Sequence, residues 1–150
     1  MREQVIDSFR LALDLKGDAA RGRTVYLERC ASCHRSGKDG FQAGPDLVSV
    51  KNSGKEKLLI NILDPSREVP PQYLAYSIET KEGETLSGII SAETGANVTL
   101  LQPNGKSTPL PRSTIKRLES QRQSLMPEGL EAGLSAQQMA DLLEYISTAR

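Results

Sequence analysis

Apolar positions in this chain follow two different periods, and the change between them divides it. From Gln4 to Leu15, Val5, Phe9, Ala12 and Leu13 recur at three- and four-residue steps, the stripe of an amphipathic helix. Lys16-Gly17 ends that stripe. Asp18 is then an N-cap for a second helix over about Ala19–Arg29, with Gly22, Val25, Tyr26 and Arg29 on one face. This helix runs directly into Cys30. From Arg35 to Asp46 the chain is loose and Gly-rich, closing with Gly44-Pro45-Asp46-Leu47. Ser53-Gly54-Lys55-Glu56 has the form of a capping box. It opens a short helix carrying Leu58, Leu59, Ile62 and Leu63, which Asp64-Pro65 stops.

After Pro70-Pro71 the period shortens. Tyr73–Thr80 ends in the apolar–polar alternation of a strand, Lys81-Glu82-Gly83-Glu84 is a turn, and Thr85–Ala92 is a second strand. Asn97–Gln102 makes a third, Pro103-Asn104-Gly105 a hairpin turn, and Ser107–Leu110 with Ser113–Leu118 supply the rest. Helical signals return with the capping box Ser135-Ala136-Gln137-Gln138 and the stripe Met139, Leu142, Leu143, Ile146, reaching about Ser147. Between sheet and helix, Ser124–Leu130 has apolar residues without a period. The pattern predicts a mainly α fold interrupted by a small antiparallel meander or partly closed barrel. Its divisions are a helical extension over residues 1–17, a first core part over 18–72, the β insertion over 73–118, and a second core part over 119–150.

Composition narrows the function classes. Nineteen basic and nineteen acidic residues give a net charge of zero, which argues against a nucleic-acid partner, where a basic patch is needed. No stretch approaches the ~20 apolar residues of a membrane span. Aromatic content is 4% with no Trp, a modest apolar core that a large flat apolar cofactor would extend. Met1-Arg2-Glu3-Gln4 is polar and lacks the apolar run of a signal peptide.

The chemistry concentrates in Cys30-Ala31-Ser32-Cys33-His34. Two thiols at this spacing can each add across a vinyl group of haem b, and the adjoining histidine then lies under the iron. C-x-x-C-H is the attachment pattern of c-type haem, and a proximal histidine is ordinary haem ligation. A structural zinc site needs four ligands, but the chain holds two cysteines and one histidine in all. A thioredoxin-like redox pair calls for a βαβ context that is missing here. A disulfide between the two cysteines and a chance occurrence of the motif stay open beside haem attachment.

His34 is the sole histidine, so a second axial ligand from the chain falls to a methionine. Met1 is the start residue. Met139 lies on the apolar stripe of the last helix and reads as a core filler. Met126 precedes Pro127, whose fixed backbone can hold a thioether inward; it is the candidate distal ligand, with a plain loop anchor as the other reading. Thioether sulfur opposite imidazole raises a haem's potential relative to two imidazoles.

Gly22 and Tyr26 before Cys30, the Cys30/Cys33/His34 motif, Gly44-Pro45-Asp46-Leu47, Met126-Pro127, and Leu142 with Tyr145 together resemble a class I-type cytochrome c. The resemblance covers about residues 18–70 and 119–150. It implies that the first and last core helices cross at Gly22, with Tyr26 against Leu142 and Tyr145. It also implies that the Pro45 carbonyl accepts a hydrogen bond from His34 and orients the ring.

With Asp64-Pro65-Ser66-Arg67 and Ser124–Leu130 flanking the insertion, the chain is similar to the C-terminal haem-binding domain of large exported bacterial dehydrogenase-like proteins. The insertion, with Thr80–Gly88, is similar to small Sm- or SH3-like barrels, and its mixed charge gives no reason to carry over RNA binding.

The resemblance implies a one-electron carrier, not itself an enzyme, with covalent haem c held by Cys30 and Cys33 and ligated by His34 and Met126. Its partner would be a redox protein or a dehydrogenase domain. The alternative is a haem-based sensor or peroxidase-like enzyme with a displaceable distal ligand. Haem of this type is attached outside the bacterial cytoplasm in such families. The expectation is therefore a periplasmic or otherwise exported protein, trimmed of its signal or cut from a longer chain. The insertion would shield a haem edge or dock the module on a partner, with simple space-filling as the competing view.

Overall fold

The computed structural model describes residues 2–150; Met1, set aside above as the start residue, lies outside the described residues. Helix α1 spans Glu3–Phe9 and passes into a 3₁₀ turn at Arg10–Leu13. The helix expected to reach Leu15 is thus broken at Phe9. Ile6, outside the expected stripe, is the residue of α1 that is buried, and Ala12 is buried in the turn. Helix α2 spans Ala19–Arg29, and the Asp18 carboxylate accepts from the Arg21 backbone N–H at 2.9 Å as its N-cap. Gly22, Val25 and Tyr26 face inward.

A one-turn helix, α3 (Leu47–Val50), is capped by Asp46, which accepts from Val48 N–H at 2.9 Å. Helix α4 covers Lys55–Leu63. The Ser53 capping box does not form, because the N-cap is Gly54 at φ 92° and no side chain caps the helix. Helix α5 covers Ala136–Ser147, and there Ser135 and Gln138 do close a capping box.

Between α4 and α5 lie five strands: β1 (Leu74–Thr80), β2 (Thr85–Glu93), β3 (Asn97–Gln102), β4 (Lys106–Pro111) and β5 (Ile115–Ser124). Their order, β4-β3-β2-β1-β5, is a four-strand meander whose fifth strand returns to pair with β1. All pairings are antiparallel. The first half of β2 pairs with β1 and its second half with β3. At the changeover stands Gly88, where a Cβ would lie 2.4 Å from the Leu101 carbonyl oxygen; only glycine lets the backbones pass so closely.

The mainly α class expected above does not hold. The chain is 40% helix and 27% strand, with a five-stranded antiparallel sheet. The difference has a local cause on both sides. The first helix stops at Phe9. Strands β2, β4 and β5 run past the ends that alternation marks, β5 most of all, because pairing with β1 (Leu74↔Ser124) carries it beyond Leu118 through residues with no apolar alternation. Mutual hydrogen bonding decides a strand's length where patterning is silent.

Apolar side chains form two clusters. The larger joins Ile6, Val25, Tyr26, Leu59, Leu63, Met139 and Leu143 among others from all the long helices. The smaller, inside the sheet, is built on Ile78, Val98 and Leu100. Among the described residues no helix is long and apolar enough to cross a membrane.

Candidate haem-attachment site

Helix α2 ends at Arg29, and Cys30 is its C-cap. The motif then turns back on itself: Cys33 N–H and His34 N–H both donate to the Cys30 carbonyl, at 3.1 and 2.9 Å. This compact turn presents both thiols and the imidazole from one short segment. Tyr26, 0% exposed, lies beneath it and donates from its hydroxyl to the His34 carbonyl at 2.7 Å, with the Asp39 carbonyl at 3.1 Å. Burial pushes the phenol up to about 12, so it remains a donor at any working pH.

Two contacts fix the His34 ring. Its Nδ1–H donates to the Pro45 carbonyl at 2.7 Å; since a carbonyl can only accept, the proton is on Nδ1. Gly44 also lies against the ring, where a Cβ would stand 2.6 Å from His34 Cε1, 3.0 Å from Nδ1 and 3.2 Å from Nε2. Burial lowers the pKa of the imidazolium from the ordinary histidine value, and the Pro45 hydrogen bond only partly opposes this. At neutral pH the ring is therefore uncharged, and Nε2 carries the free lone pair.

Cys30 and Cys33 are half-buried and not joined to each other. Burial pushes the Cys30 thiol up to about 11, with the Arg29 charge acting in the opposite sense. A thiol in that range stays protonated at pH 7, unlike the low-pKa thiolates of redox-active Cys-x-x-Cys pairs.

Met126 and Met139 part company. Met139 is 0% exposed, on α5 in the main cluster. Met126 is half-buried in the loop that follows β5 and packs against the same cluster as Cys30 and Ala31. Its N–H donates to Ser124 Oγ at 3.1 Å, and the Ser124 N–H donates to Ser66 Oγ at 3.2 Å. Further along the loop, Arg29 Nη1 donates to the carbonyls of Leu130 (2.7 Å) and Ala132 (2.6 Å), and Arg2 pairs with Glu131.

From the sheet, the β3–β4 turn reaches the motif itself. Asn104, at φ 63°, donates its N–H to the Ser32 carbonyl at 2.7 Å, and Gly105 lies against the ring of Phe41. Sequence reasoning places Arg29 on the face of the second helix shared with Gly22 and Tyr26, Ser124 in the segment after the insertion and Asn104 in a hairpin turn, but gives none of them a role at the site. The partners Leu130, Ser66 and Ser32 lie dozens of residues away, beyond the reach of any local signal.

The residues present fit a covalently held porphyrin. A neutral imidazole with its Nδ1–H already engaged offers one nitrogen to a metal. Two free thiols precede it in the same turn, and half-buried apolar side chains from several segments (Ala31, Val48, Val50, Ile60, Met126, Leu134) pack against the core. Helices α2 and α5 pack closely: a Cβ on Gly22 would lie 1.9 Å from the Asp141 carbonyl oxygen of α5, and the Tyr26 and Tyr145 rings stand 5.2 Å apart at 33°.

The close packing of α2 and α5, paired thiols and an oriented neutral imidazole define a haem-attachment domain. The family model for cytochrome c matches residues 19–150, and the chain belongs to the cytochrome c family. It is similar to the cytochrome c-553-like protein of Synechocystis sp., 39% identical over 59 residues, which are 39% of this chain and 54% of that protein. The chain thus spans about half the length of this curated relative. The family's cofactor is haem c, covalently bound, and Cys30 and Cys33 are the two cysteines available to bind it. Haem-based electron transfer is the chemistry of that family.

Proposed function

We propose that this protein is a one-electron carrier in which Cys30 and Cys33 tether the haem and His34 and Met126 are the axial ligands, Pro45 orienting His34. Haem c supplies the Fe(III)/Fe(II) couple when bound. The observation that carries this reading is the His34–Pro45 hydrogen bond at 2.7 Å on a buried, uncharged ring, because it leaves Nε2 free and fixes its direction. For the distal side, Met126 is favoured over Met139. It is loop-borne and half-buried, whereas Met139 is enclosed by the helical core.

The chain's divisions follow from the same reading. Residues 18–72 and 119–150 serve as the haem-binding core, 1–17 as a helical extension and 73–118 as an inserted β subdomain. The contact of Asn104 with the Ser32 carbonyl favours a shielding role for the insertion over the haem-attachment turn. A c-type haem implies maturation outside the cytoplasm, so we assign the protein to the periplasm or an equivalent exported location. A dehydrogenase, as a partner or as part of the same polypeptide, is the electron donor this assignment calls for.

Visible spectroscopy tests the ligands. The ferric methionine–iron charge-transfer band is expected in the native protein, absent in Met126→Ala and retained in Met139→Ala. Persistence of the band in Met126→Ala would remove Met126 from the iron, and its absence from the native protein would move the reading to an open distal site. Covalent haem staining on a denaturing gel should vanish in the Cys30→Ala/Cys33→Ala double variant.

A further inference from the structure

We propose that Arg29 is a positioning residue for Met126, holding the loop of the distal ligand against the helix that delivers the haem-attachment motif. This inference rests on the His34/Met126 reading above and adds a residue that the motif does not include. Arg29 is the last residue of α2 and the immediate neighbour of Cys30. Its guanidinium crosses to the loop after Met126 and donates through Nη1 to two backbone carbonyls, Leu130 at 2.7 Å and Ala132 at 2.6 Å. A charged donor on a carbonyl makes a stronger hydrogen bond than a neutral one. Because both acceptors are main-chain atoms, the bond fixes the course of the backbone rather than a side chain.

Besides Arg29, the loop is held by Arg2, which pairs with Glu131 and donates to the Leu63 carbonyl at 2.7 Å, and by short-range bonds of its own. Within it, Ala132 N–H bonds to the Gly129 carbonyl at 3.1 Å and Leu134 N–H to the Glu131 carbonyl at 2.9 Å. Gly129 and Gly133 sit at φ 92° and 80°, so two of its turns depend on residues with the widest backbone freedom. The entry is pinned by the Ser66–Ser124–Met126 hydrogen bonds. Arg29 pins the exit, a few residues past Met126. One side chain thereby links the segment bearing the thiols to the segment bearing the thioether. With Arg29 removed, the loop keeps the Arg2–Glu131 pair but loses its tie to the helix that bears the thiols, so Met126 yields more readily to a competing ligand while the thiols and His34 stay where they are.

The test is imidazole binding to the ferric holoprotein, read with the methionine charge-transfer band well below the unfolding temperature. Arg29→Ala is expected to bind imidazole at least about tenfold more tightly than wild type, the order of effect of losing charged hydrogen bonds, and to show a weakened band. Arg29→Lys, which keeps a cation able to reach the carbonyls, should recover most of both. Arg23→Ala removes an exposed arginine of the same helix, paired with Asp39 at 2.6 Å, and should behave as wild type.

If Arg29→Ala does not mature, Arg29→Gln keeps much of the stem and lacks the charge; it should show the same direction of change. Imidazole affinity and band within about twofold of wild type in Arg29→Ala or Arg29→Gln overturns the proposal, as does an equal change in Arg23→Ala or no recovery in Arg29→Lys. Met126→Ala, run alongside, separates the two readings. A band that survives there removes the ligand assignment itself. A band lost there but untouched in the Arg29 variants removes the positioning role alone.

Discussion

Gly22→Ala places a methyl group where α2 meets α5, and the structure says how badly it fits. The added carbon would stand 1.9 Å from the Asp141 carbonyl oxygen, 2.5 Å from its carbonyl carbon and 2.8 Å from Tyr145 Cβ. Two of the three are backbone atoms of a helix and cannot rotate away, so α2 and α5 must separate by roughly an ångström or more to restore ordinary carbon–oxygen contact. Opposing effects can be weighed. Alanine is better than glycine in a helix interior by about 1 kcal/mol. Overpacking a close-fitted contact costs about 1–3 kcal/mol, the upper end where backbone must move. The separation also disturbs the Tyr26–Tyr145 pair, whose geometry is worth about 0.5–1.5 kcal/mol.

The balance is a loss of about 0.5–3.5 kcal/mol, toward the upper end because backbone must move. Urea unfolding of the haem-loaded protein, followed by far-UV circular dichroism, measures it as a lowered midpoint at unchanged slope. Gly95→Ala is the control, since a Cβ there meets nothing within 4 Å; it should stay within about 0.5 kcal/mol of wild type. A Gly22→Ala protein as stable as wild type, or more stable, would mean that helix propensity wins and that the two helices do not cross so closely.

Three further outcomes follow from the same frame. Asp141 is 2% exposed; burial favours its neutral form, but hydrogen bonds from Arg21, Gln137 and the Asp18 N–H, with the Arg21 charge, outweigh that and hold its pKa below the ordinary carboxylate value. Its contribution is therefore complete above about pH 4 and lost as pH falls through the lowered value. Urea midpoints should drop more steeply below pH 4 in wild type than in Asp141→Asn, and parallel pH profiles would contradict the assignment. Tyr26→Phe leaves the His34 carbonyl without its buried donor and should cost about 1–3 kcal/mol at pH 7; a change under about 0.5 kcal/mol would show that the hydroxyl is dispensable. Gly44→Ala drives a carbon into the His34 ring; a loss of about 1–3 kcal/mol and an altered visible spectrum are expected, and a variant with wild-type spectrum and midpoint would show that the loop yields instead of the ring.

The parts of the molecule legible in the sequence are those decided by neighbours in the chain. Asp18 and the Ser135/Gln138 box cap α2 and α5 where their side chains stand, and β3 ends at the turn residues Pro103-Asn104-Gly105. The attachment motif and Gly44-Pro45 are likewise within a few turns of one another, and the structure brings Pro45 to His34. Local reading failed where a distant partner or a single backbone angle decided. Ser53 loses its cap because Gly54 at φ 92° takes the N-cap position. The polar C-terminal half of β5 is a strand only because β1 lies beside it. Arg29 gives no local sign that its acceptors lie beyond residue 129.

Strand pairing also explains how so much sheet can lie between α4 and the Met126 loop without driving them apart. The chain enters the sheet at Leu74 and leaves it at Ser124, and those two residues face each other across the antiparallel β1–β5 pair. A segment whose first and last strands are neighbours returns the chain to its point of departure, whatever the length between, and loop-closure entropy rises only slowly with that length. The Ser124 N–H then bonds to Ser66 Oγ, just after α4. One end of the sheet thus sets the start of the Met126 loop, while its opposite turn, at Asn104, rests on the Ser32 carbonyl inside the attachment motif. The sheet spans the two segments that carry the candidate ligands, and its register, rather than any local signal around Met126, governs how that loop begins.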